Sequence, residues 1–189
     1  MGEDPTLAAR KGQLRKACLA AREGVGREAR AAAATRLFAR LCALRGKTIA
    51  GYLPIGSEAD PRGAMRVLCA DNRICVPVVT GRGAPLRFRD WTPGCAVAPG
   101  DFGVMVPTEG GWRMPDVVIV PLVGFDGRGN RLGYGGGFYD RTLAGLTDTL
   151  IVGFALDAQR LPDLPVEPTD VALPWIVTES GVFGTGDAV

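Results

Sequence analysis

The sequence contains no histidine. That absence removes the usual ligand sets of zinc hydrolases and every Ser-His or Cys-His nucleophile pair. Chemistry here must therefore run on carboxylates, lysine, arginine, tyrosine, main-chain amides or a bound ion. Cysteine is sparse and irregular. Cys18, Cys42, Cys69, Cys75 and Cys95 include no CxxC pair, so they read as reduced core residues rather than a disulfide frame or zinc site. No apolar run approaches the roughly 20 residues that span a bilayer. Met1 to Arg10 lacks the apolar centre of a secretory signal, so a cytoplasmic protein with no membrane partner is expected. A charge excess is missing too: 22 Lys and Arg against 20 Asp and Glu leave a net charge of +2. Counterion-release binding needs a dense basic surface, so nucleic acid is not an expected partner.

What remains is ordinary globular composition, 47% hydrophobic and 22% charged over 189 residues, which suits one buried core. Residues 1–189 read as a single domain. Near the start, Leu7, Leu14, Cys18 and Ala21, and then Ala33, Leu37, Leu41 and Leu44, recur at helical spacing on either side of Gly24 to Gly26, which predicts two amphipathic helices. Beyond them the period changes. Thr48 to Ile55 is a short apolar strand, a helix starts near Asp60 and Pro61, and "RICVPVV" is another strand, a unit that predicts parallel pairing. Pro85 to Trp91 alternates like an edge or antiparallel strand, and Thr92 to Gly111 reads mostly as loop. Pro115 to Phe125 is apolar on both faces, as in a sheet covered by helices. A helix "FYDRTLAGL", a buried strand Thr149 to Leu156 and a final strand "ALPWIVTE" follow. The pattern predicts an α/β fold: a predominantly parallel twisted sheet with helices on both faces, a Rossmann-like three-layer arrangement.

Between the strongest strand and the next helix lies "GFDGRGNRLGYGGGFYDR". In open α/β sheets that strand-to-helix edge is where ligands bind. Glycines let amides converge on one concavity, and the N-terminus of the following helix adds positive potential, which together favour a phosphate. Arg131 and Arg141 flank the loop and can pair with phosphate oxygens; Asp140 is a hard oxygen ligand suited to nucleotide-borne magnesium. Two familiar nucleotide motifs fail. "GKT" at Gly46 to Thr48 has Leu41 where a P-loop needs its first glycine, and Gly133 and Gly135 are followed by Phe138 where GxGxxG needs its third. Taken alone, Lys11, Arg15 and Arg22 form a solvated stripe on the first helix, Glu58 is a loop acid, and Asp170 is a turn or cap residue. Phe138 and Tyr139 can stack on a flat ligand or belong to the core.

The glycine segment, with "RKGQLR", "YLPIGSEAD" and "LPVEPTDVAL" in the same order, resembles the 5-formyltetrahydrofolate cyclo-ligase family, also called methenyltetrahydrofolate synthetases. The resemblance implies conversion of 5-formyltetrahydrofolate and ATP, with Mg2+, to 5,10-methenyltetrahydrofolate, ADP and phosphate. It implies ATP binding by Lys11, Gly12, Gln13, Leu14 and Arg15 and by Arg131, Leu132, Gly133, Tyr134, Gly135, Gly136, Gly137, Phe138 and Tyr139. It implies folate binding by Leu53, Glu58 and Tyr134 to Phe138, metal binding by Asp140 and Asp170, and catalytic roles for Arg131 and Tyr139. A monomer is expected. Phe138 stands where many relatives have tyrosine, and Thr169 where they often have histidine. "DFGVMVPTEG" resembles the family's aromatic loop but departs from it after Phe102. Two other readings fit parts of the pattern: a sugar-phosphate isomerase or CoA-transferase-like enzyme on a similar sheet, and a non-enzymatic module whose arginine-rich segment Arg22 to Arg45 contacts nucleic acid or a partner.

Overall fold

The computed structural model describes residues 5–184; residues 1–4 and 185–189, part of the expected domain and of the stretch read for a targeting signal, lie outside the described residues. Helix α1 (Pro5–Glu23) and helix α2 (Arg27–Leu41) are separated where the glycines predict. The chain then runs through β1 (Thr48–Ala50), α3 (Arg62–Leu68), β2 (Arg73–Val78), β3 (Arg87–Asp90), β4 (Val97–Pro99), β5 (Met105–Pro107) and β6 (Trp112–Arg113). It continues through β7 (Val117–Pro121), β8 (Gly124–Phe125), β9 (Arg131–Leu132), α4 (Phe138–Leu143), β10 (Leu150–Phe154), β11 (Trp175–Val177) and β12 (Val182–Gly184). No helix among the described residues is long and apolar enough to cross a membrane.

The main sheet has the order β12-β11-β10-β7-β1-β2-β3-β6. Its five central strands, β11 to β2 in that order, are parallel, and the flanking pairings are antiparallel. Strand alternation sorts the core into two layers. Ile49, Ile74, Val76, Val117, Ile119, Val152, Phe154 and Val177 pack with Ala33, Leu37 and Leu41 of α2 and with Met65 and Leu68 of α3. Ala50, Cys75, Val118, Val120 and Ile176 pack on the other face with Leu143 of α4. Burying each large aliphatic side chain there contributes about 1.5–3 kcal/mol relative to leaving it exposed.

Several features differ from the expectation: the apolar run Pro115 to Phe125 is not one strand but divides into β7 of the main sheet and β8, which pairs only with β9. Thr92 to Gly111 holds β4 and β5, which pair with each other; strands of three residues that end in Pro99 and Pro107 carry no readable period. The strand after Leu173 is not the last, because β12 adds an antiparallel edge. On α1 the inward face is not the apolar one: Lys11, Cys18 and Arg22 are buried, while Ala21 is exposed. The cause is what α1 packs on. It lies against β8 and the turn Asp157–Gln159 instead of a sheet face, so long polar side chains that reach carbonyls and carboxylates go inward. All five cysteines are free, with Cys18 and Cys75 buried and the other three only partly so.

Candidate active site

From β1 the chain crosses to β2 on one side; from β7 it moves to β10 on the other. At this divergence, beyond the carboxyl ends of β1, β2 and β7, an open α/β sheet leaves a crevice. A cavity of about 1110 Å³ fills it, with Tyr52 and Leu53 after β1, Val78 and Val79 at the end of β2, and Pro121 at the end of β7 in its wall. Lys11, Arg15, Leu53, Glu58, every residue from Arg131 to Arg141, and Asp170 also line it. The segments singled out in the sequence therefore meet in one space. Gly12, Gln13 and Leu14 do not line it: the helical turn that points Lys11 and Arg15 inward carries these three aside.

The glycine loop forms one wall. Gly135 and Gly137 have φ of 97° and 63°, the left-handed region that favours glycine. Among the described residues, the amides of Gly133 to Gly137 donate to no protein group, while the Gly133 carbonyl accepts from Arg15 Nε at 2.8 Å and that of Gly136 from Arg141 Nη2 at 2.6 Å. The loop thus spends its carbonyls on arginines and leaves its donors for a ligand. Helix α4 has Gly137 as its N-cap and spans only six residues, so its dipole contributes less than the loop amides.

The charges are not a solvated stripe. Lys11 Nζ is buried between Glu167 Oε2 at 2.6 Å and Asp170 Oδ2 at 2.7 Å. Burial pulls the ammonium's pKa down, but the hydrogen bonds and charges of Asp170 and Glu167 outweigh it and leave it raised. Arg131, read as a phosphate partner, donates Nη2 to Asp140 Oδ1 at 2.5 Å and Nη1 to the Val171 carbonyl. Burial lowers its pKa, opposed by the negative charge of Asp140 and Asp170. Arg141 remains exposed, over the Phe138 ring at 5.2 Å.

The far side of the cavity is aromatic and acidic. Phe138 meets Phe102 edge to face at 5.6 Å between centroids, and Phe102 is the described non-glycine residue with a positive φ, 57°. Glu58 is buried and accepts the Ile55 amide at 2.8 Å. Burial pushes its pKa up, against the Ile55 and Tyr134 hydrogen bonds and the charge of Arg22. Tyr139, in the wall between the two halves, has its phenol pushed up by burial and then by Glu58, so it stays protonated, able to donate a hydrogen bond to a ligand and unable to serve as a base near neutrality.

Sequence reasoning missed three residues here. Glu167 lies three positions before Asp170 in the same "VEPTD" stretch, and Phe102 heads the loop that departs from the family pattern. Arg22, read only as part of a solvated stripe, lies buried on the same α1 face as Lys11. For a metal, the donor set is lean. Among the described residues no group of three or more Asp, Glu, Cys or His gathers. The arginine bond and the Val171 amide bond on Asp140 both fall on Oδ1, and both bonds on Asp170 fall on Oδ2. One oxygen of each carboxylate is left over, which suits a magnesium that keeps waters and takes most of its ligands from a nucleotide.

Residues 7–179 match the model of the 5-formyltetrahydrofolate cyclo-ligase family. The chain is 34% identical over 182 residues to a 5-formyltetrahydrofolate cyclo-ligase of Mycolicibacterium smegmatis, covering 89% of this chain and 93% of that one. It is 36% identical over 160 residues to the cyclo-ligase of Escherichia coli, covering 80% and 88%. The NMR structure of the 5,10-methenyltetrahydrofolate synthetase of Aquifex aeolicus superposes with a TM-score of 0.77 at 30% identity, over 95% of each chain. The synthetase of Mycoplasma pneumoniae gives 0.70 at 27% identity, over 89% of this chain and 98% of that one. With the match spanning nearly the whole chain and including every segment of the cavity wall named above, this chain belongs to the 5-formyltetrahydrofolate cyclo-ligase family.

Proposed function

We propose that this chain catalyses the ATP-dependent cyclisation of 5-formyltetrahydrofolate to 5,10-methenyltetrahydrofolate, with release of ADP and phosphate. The observation that carries the reading is one cavity shared by a donor-rich glycine loop and an aromatic, acidic half. A phosphate-binding isomerase needs only the first, and a nucleic-acid module needs neither.

In this reading the triphosphate lies against the amides of Gly133 to Gly137, with Arg15 and Lys11 on the α1 side. Phe138, Phe102, Leu53 and Glu58 hold the folate. The formyl oxygen of the substrate attacks the γ-phosphorus, and ADP departs with the electrons of the broken P–O bond. The resulting imidate phosphate has a good leaving group where the amide oxygen had a poor one. The neighbouring amine nitrogen then attacks the imidate carbon, loses its proton, and phosphate leaves with the former formyl oxygen. The chain's contribution is positioning and charge stabilisation, which suits a site without histidine. The guanidinium of Arg131 lies beside the developing phosphate charge, and the phenol of Tyr139 donates a hydrogen bond. Mg2+, held by Asp140 and Asp170, would neutralise phosphate charge when bound. The enzyme is read as cytoplasmic and monomeric.

The test is absorbance of the methenyl chromophore after mixing enzyme, 5-formyltetrahydrofolate, ATP and Mg2+. Product is expected only with all four. No nucleotide-dependent product at micromolar enzyme rejects the reading.

A further inference from the structure

Arg22 is the buried cation that the proposed chemistry does not use. Its side chain projects from the last turn of α1 into the protein, 3% exposed. Nε donates to Ser57 Oγ at 3.0 Å, Nη1 to the Leu122 carbonyl at 3.4 Å, and Nη2 to the Tyr134 hydroxyl at 3.1 Å. Among the described residues its partners are all neutral; the ion pairs around the cavity belong to Lys11 and Arg131. A buried guanidinium without a contacting carboxylate is costly. Ser57, which Arg22 holds, precedes Glu58 in the chain, and the charge of Arg22 acts on the Glu58 carboxyl; Tyr134, to which it also donates, lines the same cavity as Glu58.

We propose that Arg22 is a positioning residue for the folate half of the site: through Ser57 and the Tyr134 hydroxyl it holds Glu58 as an oriented carboxylate, ready to accept hydrogen bonds from the N–H-bearing edge of the substrate ring. This rests on the assignment of Glu58 to the folate. The charged and titratable groups around Glu58 come from four elements. They are Arg22 on α1, Tyr134 in the glycine loop, Tyr139 on α4 and Tyr52 after β1. From α2, Arg30 reaches the neighbouring Ser57 carbonyl at 2.8 Å. The phenols of Tyr52 and Tyr139 are themselves pushed up by burial and stay neutral. Arg22 is thus the cation that offsets the burial of Glu58, and Ser57 and the Tyr134 hydroxyl are the groups it fixes on the Glu58 side of the cavity.

The experiment measures kcat/KM for 5-formyltetrahydrofolate as a function of pH in the wild type and in Arg22→Met, Arg22→Lys, Tyr134→Phe and Glu58→Gln, with KM for ATP in parallel. The wild type should show an acid limb that is absent in Glu58→Gln. In Arg22→Met that limb should move to higher pH by about one unit, the lower end for loss of a nearby charge, with KM for ATP within about twofold of wild type. Arg22→Lys should return the limb part of the way. Tyr134→Phe should shift it in the same direction, and this variant tests the idea even if Arg22→Met fails to fold. A lowered kcat/KM with an unmoved limb in both Arg22→Met and Tyr134→Phe overturns the role of Arg22 alone. An unchanged profile in Glu58→Gln overturns the folate assignment of Glu58, and the proposal with it.

Discussion

Arg131 and Asp140 are joined by an ion pair of 2.5 Å across the base of the glycine loop, so the loop's first residue is tied to the helix that follows it. The pair does two things at once. It fixes the loop's curvature, and it leaves Asp140 with one oxygen directed to other partners. Asp140→Ala should therefore lose most turnover while remaining folded, and the Mg2+ concentration giving half-maximal rate should rise by roughly 10–100-fold, as when the shell around a metal is disturbed. Steady-state rates across a Mg2+ titration, with circular dichroism as the folding control, check this. Unaltered rates would show that the metal assignment is wrong.

Gly135→Ala and Gly133→Ala separate backbone strain from ligand approach. Gly135 has φ of 97°, whereas Gly133 lies outside the left-handed region and a Cβ added there meets nothing within 4 Å. Gly135→Ala should cost on the order of 1–2 kcal/mol of unfolding free energy, the penalty of forcing a Cβ into that region. Gly133→Ala should leave the urea midpoint within experimental error. Both should raise KM for ATP if the loop amides touch phosphate. A normal KM in both would remove the loop from the nucleotide site.

Lys11 carries a pH signature. Its folded pKa is raised above 10.5 by Asp170 and Glu167, after the opposing effect of burial. The stability it contributes is therefore fully present below pH 10.5 and is lost as pH rises through the folded value. Lys11→Met should unfold more easily than wild type at pH 7, by about 1–3 kcal/mol, between the values for exposed and buried pairs because both carboxylates are partly exposed. The deficit should shrink above pH 10.5. KM for ATP should rise as well, and an unaltered value would exclude Lys11 from the nucleotide site. Urea titrations on either side of that pH and one ATP saturation curve are sufficient.

The central parallel strands and the cavity's glycine wall were legible because their signals are local. Val117 to Pro121 is apolar on both faces. Gly133, Gly135, Gly136 and Gly137 crowd between Arg131 and Phe138, as they do only where a backbone must approach something closely. What escaped is non-local. The partners of Lys11 are 156 and 159 residues away, and those of Arg22 are 35, 100 and 112 away. A helical stripe of Lys11, Arg15 and Arg22 looks solvated until those partners are in view. The short strands β4 and β5 escaped for a different reason: three residues give too little alternation to register, and their pairing is with each other, not with the main sheet.

Glu58 supplies the last prediction, in which function and stability pull apart. Burial raises its pKa above the ordinary glutamate value, with the Ile55 and Tyr134 bonds and Arg22 opposing. A carboxyl whose folded pKa is raised stabilises the fold while protonated, below the unfolded value near 4.5, and loses that contribution as pH rises through the folded value. At neutral pH the fold therefore bears the cost of a buried anion. Glu58→Gln removes the charge while its amide oxygen can still accept the Ile55 N–H. The variant should be more stable than wild type at pH 7, with the gain vanishing below about pH 4.5, and it should bind 5-formyltetrahydrofolate more weakly. Thermal melts at pH 4 and pH 7, together with KM for the folate, test both halves. A less stable variant at pH 7 would mean that Glu58 is held by more favourable contacts than its burial suggests.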